Sequence, residues 1–324
     1  MSGQDPAKVQ NSTDLQTSLL QLGQLLKASG YAFVTPTPLT HQRVNERPEN
    51  ALGETLRDAF GWNRFFESGL LNREEEGALI ENGLLQYDGS RLKSAVRWSS
   101  LEGLLLVHSA FPTTAEDSVF FGPDTYRFAQ SIQRHLASNL HVIKRAVDIG
   151  CGTGAGALLI ARAEPQAEVL AVDINPKALG FTEVNAELAG LNNVRCLTSN
   201  VLNDVDGEFD LIVANPPYMK DAKKRAYRHG GDALGADLSV RIVRESIARL
   251  SVGGSLLLYT GVAIVNGEDP FLAAMHECLD NQQLDWSYRE LDPDVFGEEL
   301  LVPGYEVVDR IAAVELIVTP RGKH

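Results

Sequence analysis

Four consecutive residues, Asn215-Pro216-Pro217-Tyr218, follow directly on the apolar run Asp210-Leu211-Ile212-Val213-Ala214. Two prolines in a row fix the backbone that carries them, so the acceptor oxygens nearby are held in place. A second stretch, Ala146-Val147-Asp148-Ile149-Gly150-Cys151-Gly152-Thr153-Gly154-Ala155-Gly156, places an acid and a glycine-rich turn between an apolar run and the helical run Ala157–Ala161. This is a strand, a tight loop and a helix. The glycines allow a sharp bend and close approach of a ligand, and the free N–H groups of the helix start favour an anionic group in the loop. Asp148 stands just before the first glycine, where a buried negative charge would repel a pyrophosphate and suit an ammonium. A third stretch, Glu168-Val169-Leu170-Ala171-Val172, ends in Asp173, 23 residues after Gly150. That is close to the spacing of a carboxylate that binds ribose hydroxyls. A glycine-rich strand–loop–helix alone also serves nicotinamide and flavin enzymes.

The elements that position these residues alternate in type from Ala146 onward. Strands are expected near 146–149, 168–172, 194–197, 210–214 and 255–260, with a closing antiparallel pair over 284–291 and 310–318. The alternation implies an α/β fold with a parallel sheet covered on both faces. Before it, Leu15, Leu19, Leu22 and Leu26 recur at helical spacing, capped by Thr13 or Asp14 and ended by Gly30. Pro36, Pro38 and Pro48 predict a loop, Ala51–Phe60 a second helix, and Asn72-Arg73-Glu74-Glu75-Glu76 the start of a third. Asp88-Gly89 predicts a hairpin turn, Leu101–Val107 an apolar segment, and Pro112–Asp117 a linker. Asp124 or Thr125 is expected to cap a helix through Ile132 and Leu136. The division is then a disordered tail over 1–13, an N-terminal domain over 14–115 and the alternating domain over 116–324.

Composition bounds the rest. A chain of 324 residues with 44% hydrophobic content has room for about two packed cores. The net charge of −14 makes the molecule as a whole repel nucleic acid and anionic membranes. Three cysteines, Cys151, Cys196 and Cys278, are well separated, which fits reduced thiols in a cytoplasm. The seven histidines lack metal-ligand spacing, so no metal is expected. The start is polar, without a signal-peptide core, and the longest apolar run, near Leu256–Val265, is too short to span a bilayer, so no membrane partner is expected.

Asp-x-Gly-x-Gly-x-Gly over Asp148–Gly154, an acid ending the second strand, and Asn-Pro-Pro-Tyr after the fourth together resemble a class I S-adenosylmethionine-dependent N-methyltransferase. The family is that of the methyltransferase small domain, similar to the N5-glutamine methyltransferases. A Rossmann-type oxidoreductase, with Asn-Pro-Pro-Tyr as an ordinary turn, is the competing reading. The resemblance spans Val119 to Pro320 and implies a Rossmann-like sheet of seven strands, with S-adenosylmethionine as cofactor. It implies that Asp148, Gly150, Cys151, Gly152, Thr153 and Gly154 hold the methionyl part. Asp173 would take the ribose, Ile174 would pack on the adenine, and Asn200 and Val201 would read its amino edge.

Asn215, Pro216, Pro217 and Tyr218 are the implied catalytic set, with Asn215 also bordering the cofactor. An amide or aryl amine nitrogen is a poor nucleophile because its lone pair is delocalised. Acceptors on the Asn215 side chain and the Pro216 carbonyl would take its two N–H bonds and aim the lone pair at the methyl. Tyr218 would offer a flat face to a planar group. Protein glutamine, adenine N6 and guanine N2 all fit. The Tyr form of the motif and Gly230-Gly231-Asp232 with Gly235-Ala236-Asp237-Leu238 and Arg241 lean toward glutamine, with a base in RNA or DNA as the alternative acceptor. A module that only senses the cofactor is disfavoured by the intact motif.

A Pro-acid-Thr loop over Pro123-Asp124-Thr125 resembles that of glutamine methyltransferases, although they carry Glu after the Thr, where this chain has Tyr126. Phe121 and Asp124 are therefore expected at the substrate. So are Lys223, Lys224, Arg225, Arg228 and His229, the dense basic run after Tyr218, which would face an anionic partner. Helices followed by a hairpin give the N-terminal domain an α+β, winged-helix-like reading, as a substrate-recognition module or a cap. Through Leu140 the chain carries 12 Lys+Arg against 16 Asp+Glu, which favours protein recognition or a cap over DNA binding.

Overall fold

The computed structural model describes residues 6–139, 141–220, 225, 227–232 and 234–321. The chain opens with helix α1 (Pro6–Ala28), which takes in residues 6–13 of the expected disordered tail and runs straight through Thr13 and Asp14, so neither caps it. Residues 1–5 lie outside the described residues. The helix ends as the leucine pattern and Gly30 predict: Gly30 has φ +71° and Tyr31 N–H closes the end on Leu26 O at 3.0 Å.

The expected loop between prolines contains helix α2 (Pro38–Asn45), with Pro38 in its first turn and Thr37 as its cap. Proline breaks helix interiors but suits their first turn, which reverses the reading of Pro38. The helix expected over 51–60 shortens to α3 (Leu56–Phe60), because Thr55 and Asp58 form a reciprocal capping box there. Helix α4 (Arg73–Glu81) starts at Asn72 as expected, also through a capping box.

Two hairpins follow. Strands β1 (Leu85–Asp88) and β2 (Arg91–Ser94) pair antiparallel about the predicted Asp88-Gly89 turn. Strands β3 (Val96–Leu101) and β4 (Leu104–Ser109) pair through a two-residue turn at Glu102-Gly103, at φ +50° and +78°. Positive φ at both positions suits the right-handed twist of the strands. The apolar segment expected over 101–107 is thus a strand end, a turn and a second strand.

Next come α5 (Pro123–Ser138), β5 (Arg145–Ile149), α6 (Ala155–Ala163), β6 (Glu168–Asp173), α7 (Pro176–Ala189), β7 (Val194–Thr198) and β8 (Phe209–Ala214). They are followed by α8 (Asp237–Ile247), β9 (Leu250–Ile264), α9 (Pro270–Leu279), β10 (Leu284–Asp292) and β11 (Arg310–Pro320). The seven strands from β5 onward form one sheet in the order β10-β11-β9-β8-β5-β6-β7, with β11 antiparallel to both neighbours and the rest parallel. This is the expected Rossmann-like α/β sheet. The chain leaves β5 first to one side and later returns to the other, so the crevice beyond the strand ends opens between β5 and β8.

Alternation along each strand divides the core between two faces. Val147, Ile149 and Ile212 pack under α8 and α9, while Ala146, Leu211 and Val213 pack under α5 and α6. A third core joins Leu19, Leu22, Leu26, Phe60, Phe66 and Trp98 to Ala178, Phe181, Val184 and Leu188 of α7. The first hundred residues are thus seated on α7. Asn185 of that helix accepts from Val107 N–H at 2.8 Å and donates to Thr153 O at 2.9 Å, tying β4 to the glycine loop.

Candidate active site

Register brings the three motifs to one level. Ile149 pairs with Val172 on one side and Ala214 on the other. The residues that follow, Gly150, Asp173 and Asn215, therefore emerge together at the ends of β5, β6 and β8. A cavity of about 220 Å³ lies there. It is lined by Asp148, Gly150, Cys151, Gly152, Thr153, Asp173, Ile174, Asn200, Val201 and all four residues of Asn215-Pro216-Pro217-Tyr218.

Asp148 faces α6 because it alternates with Val147 and Ile149. It is buried, and its Oδ2 accepts from Ala157 N–H, in the first turn of α6, at 2.9 Å. Burial, with Asp173 adding to it, pushes its carboxyl up to about 7, and no nearby cation offsets this. One N–H of the helix start is thus already taken by Asp148. Gly154, at φ +77°, is the N-cap of α6 and does not line the cavity; a Cβ there would stand 2.6 Å from Thr182. Its positive φ and its packing on Thr182 shape the loop. Cys151 is buried with its thiol 3.6 Å from Thr182 Oγ1, and burial pushes that thiol well up, so it packs as a neutral group.

Asp173 accepts from Gly152 N–H at 3.0 Å and from Asn175 N–H at 2.9 Å, one bond on each oxygen. Each oxygen keeps a second lone pair. Burial raises its carboxyl above the usual range. Ile174 projects beside it, 55% exposed. Asn200 is also exposed, and its Oδ1 already accepts from Arg241 Nη1 at 2.9 Å.

The Asn215 side chain and the Pro216 carbonyl make no hydrogen bond among the described residues, so both acceptors are open to the cavity. Tyr218 is different. It is 8% exposed, and its hydroxyl donates to Asp124 Oδ2 at 2.6 Å. Asp124 Oδ1 accepts from Tyr259 at 2.6 Å, and Arg127 stands 3.4 Å from the same oxygen. Asp124 is therefore not the cap of α5. Gly122 holds that position, with Pro123 in the first turn and Thr125 Oγ1 accepting from Gly122 N–H. Asp124 lines the cavity, but both its oxygens are committed to phenols. Asp124 therefore anchors Tyr218 from the cavity wall.

One face of the Tyr218 ring lies against Gly261 of β9, where a Cβ would stand 2.2 Å from Cε2. Phe296 meets the ring edge-on at 6.1 Å. Replacing Gly261 by alanine is expected to dislodge the ring and cost about 1–3 kcal/mol of stability. An unchanged denaturant midpoint in Gly261→Ala would contradict this seating.

Other expected substrate residues fall elsewhere. Phe121 is core: it stacks on His108 at 5.1 Å and meets Tyr126 edge-on, and its neighbour Phe120 lines the cavity instead. Of the basic run, Lys223 and Lys224 lie outside the described residues. Arg225 bonds to the Tyr227 hydroxyl at 3.1 Å. Arg228 lines the cavity wall and is ion-paired with the buried Glu299. Arg225 and His229 are not on that wall. A charge pairs inward wherever a buried partner is in reach, which linear charge counting does not reveal. Tyr259 is not singled out by the sequence, although it directly follows the aliphatic run Leu256–Leu258. Among the described residues no group of three or more His, Cys, Asp or Glu could hold a metal, and no helix is long and apolar enough to cross a membrane.

Comparison with known proteins agrees with this geometry. Residues 129–264 match the methyltransferase small domain. A release factor glutamine methyltransferase from Deinococcus radiodurans is 37% identical over 168 residues, which is 49% of this chain and 56% of that protein. The enzyme of the same name from Salmonella typhimurium is 39% identical over 129 residues, covering 36% of this chain and 46% of that one. A ribosomal RNA small subunit methyltransferase C from Serratia proteamaculans is 28% identical over 116 residues, 36% of this chain and 30% of its own length. The chain spans about half the length of these release factor methyltransferases. The matched residues hold β5 through β9, the glycine loop, Asp173 and Asn-Pro-Pro-Tyr, and over them the chain is similar to the methyltransferase small domain.

Proposed function

We propose that the protein is an S-adenosylmethionine-dependent N-methyltransferase acting on a planar NH₂ group, the side-chain amide of a protein glutamine. The observation that carries this is the pair of unpartnered acceptors, Asn215 Oδ1 and Pro216 O, on the wall of the cavity that holds Asp148 and Asp173. The residues fit the cofactor. Asp148 is a buried acid with only an N–H partner, and a bound ammonium would satisfy it. Asp173 keeps a lone pair on each oxygen for the ribose, and Ile174 lies alongside for the adenine. When bound, that group supplies a methyl on a sulfonium.

The chain's own residues then position the acceptor. Asn215 and Pro216 take its two N–H bonds and turn the nitrogen lone pair into the cavity, and the prolines keep both acceptors preorganised. Tyr218, locked by Asp124 and Gly261, forms a fixed wall; its hydroxyl is already committed. The likeness to release factor glutamine methyltransferases supports a protein acceptor over a nucleic-acid base. So does the inward pairing of Arg228, which removes one cation from the expected anionic contact. The unit over residues 14–115 is read as the part that recognises the protein substrate.

Labelled methyl donor added to a cell extract with the enzyme tests this. The label should enter material destroyed by protease and should be recovered as methylglutamine after digestion. Label lost to nuclease treatment would instead make the acceptor a base.

A further inference from the structure

Arg97 on β3 is only 3% exposed, yet no carboxylate pairs with it among the described residues. Its Nε donates to Ser109 O at 3.1 Å, and its Nη1 lies 3.5 Å from His41 Nδ1. Nη2 makes no hydrogen bond with the described residues. Among the described residues the groups named around it are also without acid. His41 donates to Trp62 O through Nε2–H at 2.8 Å, and Phe111 covers both His41, at 4.2 Å, and the guanidinium, at 5.8 Å. Tyr31, Tyr126, Ser99 and His108 complete the seam, and His108 Nδ1 is buried without a partner. Burial and the Arg97 charge push His41 down to about 4, so it stays neutral and supplies no second cation. A buried charge without a counter-ion is costly, and natural proteins pair such charges.

The seam adjoins the acceptor pocket by two routes. The Tyr126 hydroxyl accepts from Thr35 N–H at 3.0 Å, and Tyr126 lies two residues from Asp124, which anchors Tyr218. Phe111 is two residues before Thr113, whose carbonyl accepts from Tyr227 at 2.7 Å, and Tyr227 lines the cavity. Two residues span at most about 7 Å of chain.

We propose that Arg97 is the recessed end of a subsite for one carboxylate, carried by an acidic side chain of the protein substrate a short distance from the methylated glutamine. The planar guanidinium suits an oxygen pair, and the carboxylate would complete the missing charge. A nucleic-acid strand fits less well. Its phosphates recur every few ångströms and need a track of cations, whereas exposed Glu54, Glu67 and Asp88 interrupt the basic residues of this unit. This inference rests on the protein-glutamine reading for its choice of ligand, but its test needs no methyl transfer.

The test is direct binding at fixed ionic strength, without methyl donor. The probes are a fluorescent peptide with one glutamine set among glutamates, the same peptide with glutamines in place of the glutamates, and an oligouridylate of matched charge. The wild type should prefer the glutamate peptide over both. Arg97→Met should weaken that peptide about tenfold, and Arg97→Lys, which keeps the charge but loses the fork, less than that. Arg97→Lys also carries the test if the methionine variant does not fold. Equal affinity in wild type and a folded variant would overturn the subsite. Tighter, Arg97-dependent binding of oligouridylate would overturn its assignment to a protein carboxylate. A glutamate peptide that binds through Arg97 while the extract assay labels only nucleic acid would sink the glutamine reading and leave the anion subsite standing.

Discussion

Asn215→Ala is expected to lower methyl transfer by a factor of about a hundred or more while the fold and the cofactor affinity hold. The side chain makes no hydrogen bond to the described protein, so its loss removes no internal support. It lies beyond the end of β8, and the flanking prolines keep the local backbone in place. On the proposed mechanism, what disappears is one of two acceptors that orient the NH₂ group, an interaction worth most as the nitrogen loses its planarity. The effect should therefore fall on kcat more than on the affinity for the donor. Steady-state rates with calorimetry of donor binding separate the two. Near-normal turnover in the variant would remove Asn215 from the chemistry.

Asp173→Ala is expected to act on the opposite side of the site. It should weaken binding of S-adenosylmethionine by about 2–4 kcal/mol, the sum expected for two hydrogen bonds from ribose hydroxyls to a charged acceptor. The structure adds a cost that motif spacing does not convey. Gly152 N–H and Asn175 N–H both donate to this carboxylate, so the alanine variant also loosens the glycine loop and the start of α7. Asp173→Asn is the informative companion, because its amide keeps one acceptor oxygen and less of the loop is freed. Calorimetry should rank wild type, asparagine and alanine in that order. Unchanged affinity in a folded alanine variant would sink the ribose assignment.

Much of the cofactor half was legible because its signals are local. A strand, a glycine turn and a helix start are encoded in a dozen adjacent residues, and the parallel register then brings Gly150, Asp173 and Asn215 to one level. The Tyr218–Asp124–Tyr259 set was not legible, since it joins residues 94 and 135 apart in the chain. Asp124 looked like a helix cap because an acid near a helix start has that local use; a tertiary partner outbid it. Pro38 was misread for a related reason, since the same residue breaks one helix and starts another. Phe121 and Phe120 could not be ranked from sequence, because adjacent residues on an irregular segment carry no periodicity. The fate of Arg228 depended on Glu299, a residue 71 positions away.

The Asn185 side chain, held at once by β4 and by the glycine loop, makes these two parts of the molecule mechanically one. Any displacement of the β3–β4 hairpin must either strain or break the bond to Thr153 O, and any reshaping of the loop pulls on Val107 in return. Such a shared fastening makes energetic coupling reciprocal: whatever stiffens the loop also stiffens the hairpin, and a load placed on the hairpin is felt at the loop by the same amount. The first hundred residues are consequently part of the mechanical support of the glycine loop, in addition to the substrate-recognising role proposed for them.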